Sequence, residues 1–560
     1  MSAGESLIPF RDVPDDELTD EQIRQKYAPV CIGPTWKRDA AGGWLLPERT
    51  LGWEIAGWMA KWLGGPDGSD SFTMTLEQLR FVLWWYAVDE HGEFIYRTGV
   101  LQRLKGWGKD PLAAALCLVE LVGPSRFSHF GADGKPVGKA HPAAFVQIAA
   151  VNQEQTQNTT TMFALLMTDR FMAEYRVEAG KELIYAMGGK VRLKAVTSSP
   201  RALEGGRSTF IILNETHHWI RGNNGIQMFE TIDGNATKMD GRYLAITNAY
   251  MPGEDSVAER QRDQWDKIDE GRAADVGLLY DSLEAPEHTP LDPAILPTII
   301  ELVRGDAVWL KIDAIMKSVL STTMSPARSR RMWLNQVVAE ADSLFSPADW
   351  KVLEREGLEL RPGDRIVLGF DGGKSDDATA LVAIRVKDFF IKPLQVWEKP
   401  DGPAGDGWEV DRAEVDSMVR DAFRVYDVVA FYADVALWES YIDTWALDYG
   451  EKLAVKSTAR NPIAWDMRRS EKETTHAHEA FVSAILNGQP VHDGDPLLRR
   501  HVMNVKRKVN NYGISFRKAH RESPRKIDAY AAAFLAFLAR RDYLASSGKQ
   551  RQRTGRGYFL

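Results

Sequence analysis

Residues 99–116, GVLQRLKGWGKDPLAAAL, decide how the first half of the chain folds. An apolar stretch of strand character runs into a turn holding Gly106, Gly108 and Lys109. An Ala/Leu-rich helix follows, with Pro111 in its first turn. Strand, Gly-rich turn and helix in that order suit an anion. Backbone N–H groups of the turn and the helix N-terminus face it, and the lysine reaches the outer phosphates of a nucleotide. The pattern G-x-x-x-x-G-K-[ST] is met in part, because its first glycine falls on Arg103 and the residue after the lysine is Asp110. A strand–turn–helix with a purely structural role is the plain alternative here.

Working outward, residues 209–219, TFIILNETHHW, read as a buried strand ending in polar residues. A nucleotide hydrolase places there its metal-associated acid and the glutamate that orients the attacking water. Glu215 fits the second role, and Asn214 stands where an aspartate is usual. The hydroxyl/aspartate pair beside magnesium becomes Asp110/Asn214, which keeps one carboxylate but moves it. Hard cations need oxygen ligands more than a particular donor, so magnesium binding is expected to survive. A strand end with a solvated glutamate is the alternative.

Strand segments also occur at 96–102, 144–151, 191–196 and 242–249, with helical stretches at 111–122 and 158–180 between them. The alternation predicts an α/β domain with a mainly parallel sheet. Its core is expected over 51–252, after an extended arm at 1–50 and before a charged helical subdomain and linker at 253–345. A second pattern begins near Leu360. Residues 365–373, 377–386 and 389–399 are three strands in hairpin order. A helix (412–426), a buried strand (428–434) and a final apolar helix (526–541) follow. This second α/β domain is expected over 346–541, with a basic, disordered tail at 542–560.

Three acids mark the second domain. Asp371 ends its first strand, Asp434 ends a later buried strand and Asp528 opens the last helix. Strand ends and helix starts on one edge of a sheet converge, and clustered carboxylates repel unless cations neutralise them. The economical reading is a site for two Mg2+ or Mn2+ ions acting on a phosphodiester. Taken singly, each acid has an ordinary role in a turn or helix cap. Asp376 and Asp377, in the first hairpin turn, either add a ligand or are exposed turn residues, the plainer reading, and His476 and His478 read as surface residues. Arg499, Arg500, Lys506, Arg507, Lys508, Arg517, Lys518, Arg521, Arg525 and Lys526 form a basic region before Asp528. They suit either a solvated face or sequence-independent phosphate contacts.

Bulk properties set limits. With 560 residues the chain exceeds one core, and its 44% apolar and 26% charged residues are those of an ordinary globular protein. A net charge of −8 argues against a wholly basic nucleic-acid binder but leaves room for a local basic groove. Two cysteines, Cys31 and Cys117, exclude a disulfide scaffold and a four-cysteine zinc site. No apolar run reaches 18 residues, so a soluble, intracellular protein without membrane contact is expected. The 18 tryptophans are dispersed and are expected to pack cores.

The order and spacing of these motifs resemble the large terminase subunit of long-tailed phages, particularly those of actinobacterial hosts. The resemblance spans roughly residues 70–540. It implies a P-loop (RecA/ASCE-like) ATPase domain followed by an RNase H-like nuclease domain. It also implies further roles: Gln78 in FTMTLEQLRF reading adenine, Arg103 in the phosphate loop, and Thr247 and Asn248 in LAITNAY coupling hydrolysis to movement. Arg201 and Arg207 are its candidate arginine fingers. Implied cofactors are ATP with Mg2+ at the first site and two Mg2+ or Mn2+ at the second. Implied partners are double-stranded DNA, a portal protein, a small terminase subunit and further copies in a ring. The expected setting is the host cytoplasm, at the procapsid during packaging. Two other readings stay open: an RNase H-like recombination or repair nuclease with a degenerate nucleotide domain, and a non-enzymatic capsid component.

Overall fold

The computed structural model describes Phe10 and residues 13–554, other than 181–182, 198–205, 322–323, 340–341, 375–376, 401–404, 406, 469 and 519–524. Asp376, Arg201 and Arg521 therefore lie outside the described residues. The chain divides into two compact units, one of residues 1–251 and 255–338, the other of 252–254 and 339–560.

In the first unit the described strands are β1 (Val30–Ile32), β2 (Thr98–Gln102), β3 (Arg126–Phe130), β4 (Pro136–Lys139), β5 (Phe145–Ala150), β6 (Glu178–Ala179), β7 (Leu183–Ala186), β8 (Val191–Thr197), β9 (Phe210–Asn214), β10 (Arg242–Thr247) and β11 (Leu278–Glu284). Strands β3 and β4 form a separate hairpin, and the others make one sheet in the order β1-β11-β2-β10-β9-β5-β8-β7-β6. The six from β11 to β8 are parallel, and the antiparallel β1 and the β7–β6 pair close the edges. Alternate residues of each central strand feed cores on opposite faces. Leu101, Ile212 and Leu244 point one way, and Val100, Ile211 and Ala245 the other. This is the mainly parallel α/β sheet expected from the alternating strands and helices.

Two boundaries differ from the expectation. Residues 278–284, LLYDSLE, form a fully buried strand beside β2, so the region after 253 completes the first sheet. The acids in that segment disguise it; Asp281 and Glu284 are buried because arginines pair with them. Described residues ahead of position 50 are also part of the unit. Strand β1 pairs with β11, Ile23 and Tyr27 are buried, and Thr35 donates a hydrogen bond to Asp281.

In the second unit the strands are β12 (Arg365–Gly372), β13 (Thr379–Arg385), β14 (Phe390–Trp397), β15 (Asp427–Asp434), β16 (Ala464–Trp465), β17 (Val491–His492) and the hairpin β18 (Lys506–Asn510) and β19 (Gly513–Arg517). The main sheet runs β16-β15-β12-β13-β14-β17. Strands β12, β13 and β14 are antiparallel neighbours, and β15 returns parallel to β12. That is the strand arrangement expected from the hairpin order followed by a returning strand. The last helix is apolar on all sides from Ala529 to Ala539, and all eleven residues are buried. It extends from Asp528 to Thr554, well past the expected end at 541. Just beyond 541 the helix is still tied to the domain: the Tyr432 hydroxyl donates to Asp542 at 2.9 Å, and Tyr543 packs against the core.

The helices used below are α1 (Leu76–Trp85), α2 (Lys109–Val122), α3 (Gln153–Leu166), α4 (Arg412–Val425), α5 (Glu471–Leu486), α6 (Pro496–Asn504) and α7 (Asp528–Thr554). Among the described residues no helix is long and apolar enough to cross a membrane.

Candidate functional site

The turn between β2 and α2 bends through two glycines in the left-handed region, Gly106 at φ 82° and Gly108 at φ 100°. Lys109 begins the helix, and its ammonium donates to the carbonyls of Arg103 (2.9 Å) and Leu104 (3.1 Å) and to Asn248 Oδ1 (2.7 Å). Burial lowers its pKa to about 8, against the nearby charges of Glu215 and Asp110, which raise it. Gln78 completes the capping box of α1, its Oε1 accepting from the Thr75 N–H at 3.1 Å, and its Nε2 lies 3.0 Å from where a Cβ on Gly108 would stand. Trp309, which sequence reasoning missed, covers the turn and donates to the Gly106 carbonyl at 2.9 Å.

Strand β10 lies between β2 and β9, and the parallel register brings the ends of all three together. Glu215 follows β9 in a left-handed conformation (φ 57°) and accepts a hydrogen bond from Asn248 Nδ2 at 3.3 Å. Burial raises its pKa, while Lys109 pulls it back. Thr247 Oγ1 accepts from the His217 backbone at 3.1 Å. Asp110 and Asn214 are joined through a residue not foreseen. Thr159 of α3 donates to Asp110 Oδ1 at 2.9 Å and accepts from Asn214 Nδ2 at 3.0 Å. Lys109, Asp110, Asn214, Glu215, Thr247 and Asn248 thus share one pocket edge.

Arg103 stands apart from its expected role. Its guanidinium is 1% exposed, paired with Glu77 (3.1 Å) and Asp281 (2.9 Å) and held between Trp36 and Trp107. That environment makes it a clamp beneath the turn, with its charge already matched. Arg207 is exposed just ahead of β9.

In the second unit the register Phe370↔Ala433 puts Asp371 and Asp434 side by side on neighbouring strand ends. Helix α7 crosses β12 so closely that a Cβ on Gly369 would stand 1.9 Å from the Ala532 carbonyl. Asp528 lies four helical residues before Ala532, about 6 Å, and Asp371 two strand residues beyond Gly369, about 6.6 Å. The charge of Asp528 acts directly on Asp371, which makes the two carboxylates neighbours. Burial, then the charges of Asp528 and Asp434, raise the Asp371 pKa well above the carboxylate range. Burial also raises those of Asp434 and Asp528.

Asp528 Oδ2 is buried without a hydrogen-bond partner. An orphaned oxygen among three mutually repelling carboxylates fits a hard divalent cation. Lys518 Nζ lies 3.9 Å from Asp528 and also bonds Asp377, which Lys526 reaches at 3.4 Å. Of the two sequence readings of Asp377, added ligand or exposed turn residue, the structure favours a place at the half-exposed rim of this cluster. Lys506 departs from the basic face: it is buried and paired with Asp342 at 2.8 Å.

Two further residues were missed. The Ala529 N–H at the start of α7 donates to His501 Nδ1 at 2.8 Å, and His501 Nε2 bonds Glu398 at 2.8 Å. Burial would raise the Glu398 pKa, but His501 and Arg500 hold it at about 2. This chain fixes the helix end that carries Asp528. His478 corrects another expectation. It is buried in an aromatic cluster of Phe516, Tyr530 and Phe534, bonding the Ile514 carbonyl and the Tyr530 hydroxyl at 2.9 Å each. His476 is exposed, as expected.

Fold and sites define a two-unit α/β protein with an anion-suited turn in one unit and an acid cluster in the other. The chain belongs to the family of the gene 13 proteins of mycobacteriophages. It is 44% identical to the gene 13 protein of Mycobacterium phage L5 over a 582-position alignment covering 94% of this chain and 97% of that protein. Its identity to the gene 13 protein of Mycobacterium phage D29 is 43%, with the same coverage of both chains. No known protein-family profile matches the sequence. Among solved structures it is similar to the HK97 bacteriophage large terminase, with a TM-score of 0.47 and 17% identity over 87% of this chain and 99% of that one. It is also similar to the large terminase of a thermophilic bacteriophage, with a TM-score of 0.32 and 11% identity over 83% of this chain and 98% of that one.

Proposed function

We propose that the protein is the large terminase subunit of a tailed phage. It hydrolyses ATP to drive double-stranded DNA into a procapsid and cuts concatemeric DNA with a metal-dependent nuclease. The observation that carries this reading is the convergence of Asp371, Asp434 and Asp528, in a chain whose other unit gathers Lys109, Glu215 and Asn248.

In the first unit the turn's amides and Lys109 bind the triphosphate, with Gln78 placed to meet the base. Glu215 orients water, and Asn248 links that carboxylate to the lysine, so movement of one is felt by the other. Asp110 is the oxygen ligand for Mg2+, standing in for the usual aspartate at Asn214. Arg201 and Arg207 are the arginine-finger candidates.

In the second unit Asp371, Asp434 and Asp528 hold two divalent cations, Mg2+ or Mn2+. When bound, these supply the positive charge that offsets charge developing on the phosphodiester. Lys518 and Lys526 hold the backbone phosphates in register without reading sequence. A portal protein, a small terminase subunit and further copies of this chain in a ring are the partners this role requires, in the host cytoplasm.

The test is a pair of assays on wild type, Lys109→Ala and Asp371→Ala. Lys109→Ala is expected to lose DNA-stimulated ATP hydrolysis by about 10²–10³-fold, the scale of one charge-stabilising donor, and to keep plasmid cleavage. Asp371→Ala is expected to do the reverse. Either change leaving its assigned activity intact would show that site to be misplaced. The departures at Asp110 and Asn214 favour a second reading, a repair-type nuclease with a non-hydrolysing nucleotide domain. Under it, wild type cleaves DNA and shows no DNA-stimulated hydrolysis.

A further inference from the structure

The turn after β9 carries more donor atoms than water activation by one glutamate needs. Beyond Glu215, the short 3-10 turn Thr216–His218 brings two imidazoles back toward the carboxylate. A Glu215 oxygen, a His217 nitrogen and a His218 nitrogen all lie within 4.8 Å of one another. Glu215 Oε2 and His217 Nε2 are 3.3 Å apart, and the two rings have centroids 3.9 Å apart. Ligands of tetrahedral zinc, with bonds of about 2.0–2.1 Å, stand about 3.3 Å from each other. One pair already has that spacing, and the third atom lies within 4.8 Å of both.

The contacts say which nitrogen faces the cluster. His217 Nδ1 lies 3.0 Å from Thr247 Oγ1, which also accepts the backbone N–H of His217. With the Nδ1 side held by that hydroxyl, Nε2 is the nitrogen turned to the Glu215 carboxylate. A histidine whose far ring nitrogen is held by an oxygen partner is the usual outer arrangement of a zinc-class site. The turn is rigid. Glu215 N–H donates to Ile246 O at 2.8 Å, His218 N–H to Glu215 O at 2.9 Å, and buried Trp219 to Asn214 O at 2.9 Å.

We propose that Glu215, His217 and His218 form a binding site for a transition-metal ion of the zinc class, and that its occupation withdraws Glu215 from hydrolysis. Imidazole suits Zn, Co, Ni and Cu, whereas Mg2+ takes oxygen ligands, so the site differs in chemistry from that of nucleotide-bound magnesium. His218 is exposed and gives the ion a way in. Control of hydrolysis rests on the role proposed for Glu215; metal binding does not.

Co2+ is titrated into the full-length chain carrying Asp371→Ala and Asp434→Ala, so that the acid cluster does not compete. One equivalent is expected to give the strong visible absorption of a nitrogen-ligated ion, lost in His218→Ala and His217→Ala and displaced by Zn2+. With the acid cluster intact, micromolar Zn2+ is expected to suppress Mg-ATP hydrolysis. His218→Ala, with His218→Gln as its conservative companion, is expected to raise the half-inhibitory Zn2+ concentration at least about tenfold. An unchanged Co2+ spectrum in a His217→Ala/His218→Ala double variant overturns the site. A histidine-dependent spectrum with hydrolysis indifferent to Zn2+ supports the site and overturns its control of Glu215. A histidine-dependent spectrum in a chain without ATPase activity supports the site and counts against the hydrolytic reading instead.

Discussion

Asp110, Thr159 and Asn214 show what one hydroxyl can decide. Thr159 donates toward the carboxylate and accepts from the amide, so the two residues beside the proposed magnesium position are held as a unit. If Asp110 has taken over as the oxygen ligand, Asp110→Ala abolishes Mg-ATP hydrolysis and Asn214→Ala leaves it within a few-fold of wild type. The reverse ranking would sink the swap. Thr159→Val removes the bridge and is expected to raise the Mg2+ requirement about tenfold, the scale of lost outer-shell support. Thr159 was illegible in sequence because a lone threonine in a polar helix has no signature; its role comes from a contact across 49 and 55 residues. Glu398 and His501 were hidden for the same reason. His478 was legible and misread: it lies three residues before Phe481, on the face of α5 that also buries Ala484 and Ile485. Burial lowers its pKa to about 4 from an ordinary 6.5. Between those values the unfolded chain binds the proton and the folded one resists it, so stability rises with pH through that window and falls on acidification. The difference is about 3 kcal/mol at about 1.4 kcal/mol per unit. Thermal unfolding of His478→Gln should show a flatter acid limb between pH 6.5 and 4 than wild type.

At the scale of elements, the hairpin-ordered strands and the parallel return of β15 were readable because each is an apolar run ending at a polar turn. The same pattern placed Asp371 and Asp434 at strand ends. Strand β11 escaped because its acids mimic a surface segment, and only the arginines that pair with them reveal it as interior. The packing of α7 on β12 rests on small residues, with Gly369 facing Ala532 and Ala536. Gly369→Ala pushes a methyl into helix backbone, which has no side chain to swing aside. A destabilisation of about 1–3 kcal/mol or more is expected from such overpacking. Because Asp371 and Asp528 are aligned through this contact, cleavage should fall together with the unfolding temperature of the second unit, while ATP hydrolysis stays. Full nuclease activity in Gly369→Ala would show that the alignment is set elsewhere.

For the whole molecule, the contact-defined boundary near 338 replaces the expected one at 345, and fragments can test it. Within the second unit Arg507 N–H donates to Asp342 O at 2.7 Å, Leu344 N–H to Val505 O at 3.2 Å, and Phe345 packs on Tyr530. A fragment of residues 339–560 is expected to melt several degrees higher than one of 346–560, by scanning calorimetry. In the same way 1–338 should fold where 1–252 does not, since the shorter piece strips β11 from β2. Equal melting of the paired fragments would contradict the division. The clamp under the Gly-rich turn joins three distant stretches through Glu77, Arg103 and Asp281, with opposite charges buried against one another. Restoring a textual glycine at 103 would strand two acids in the interior, at a cost of about 3–5 kcal/mol. Substitution here is therefore coupled: the loop arginine and the two acids that hold it form one interlocking part, which tolerates replacement only when all three change together.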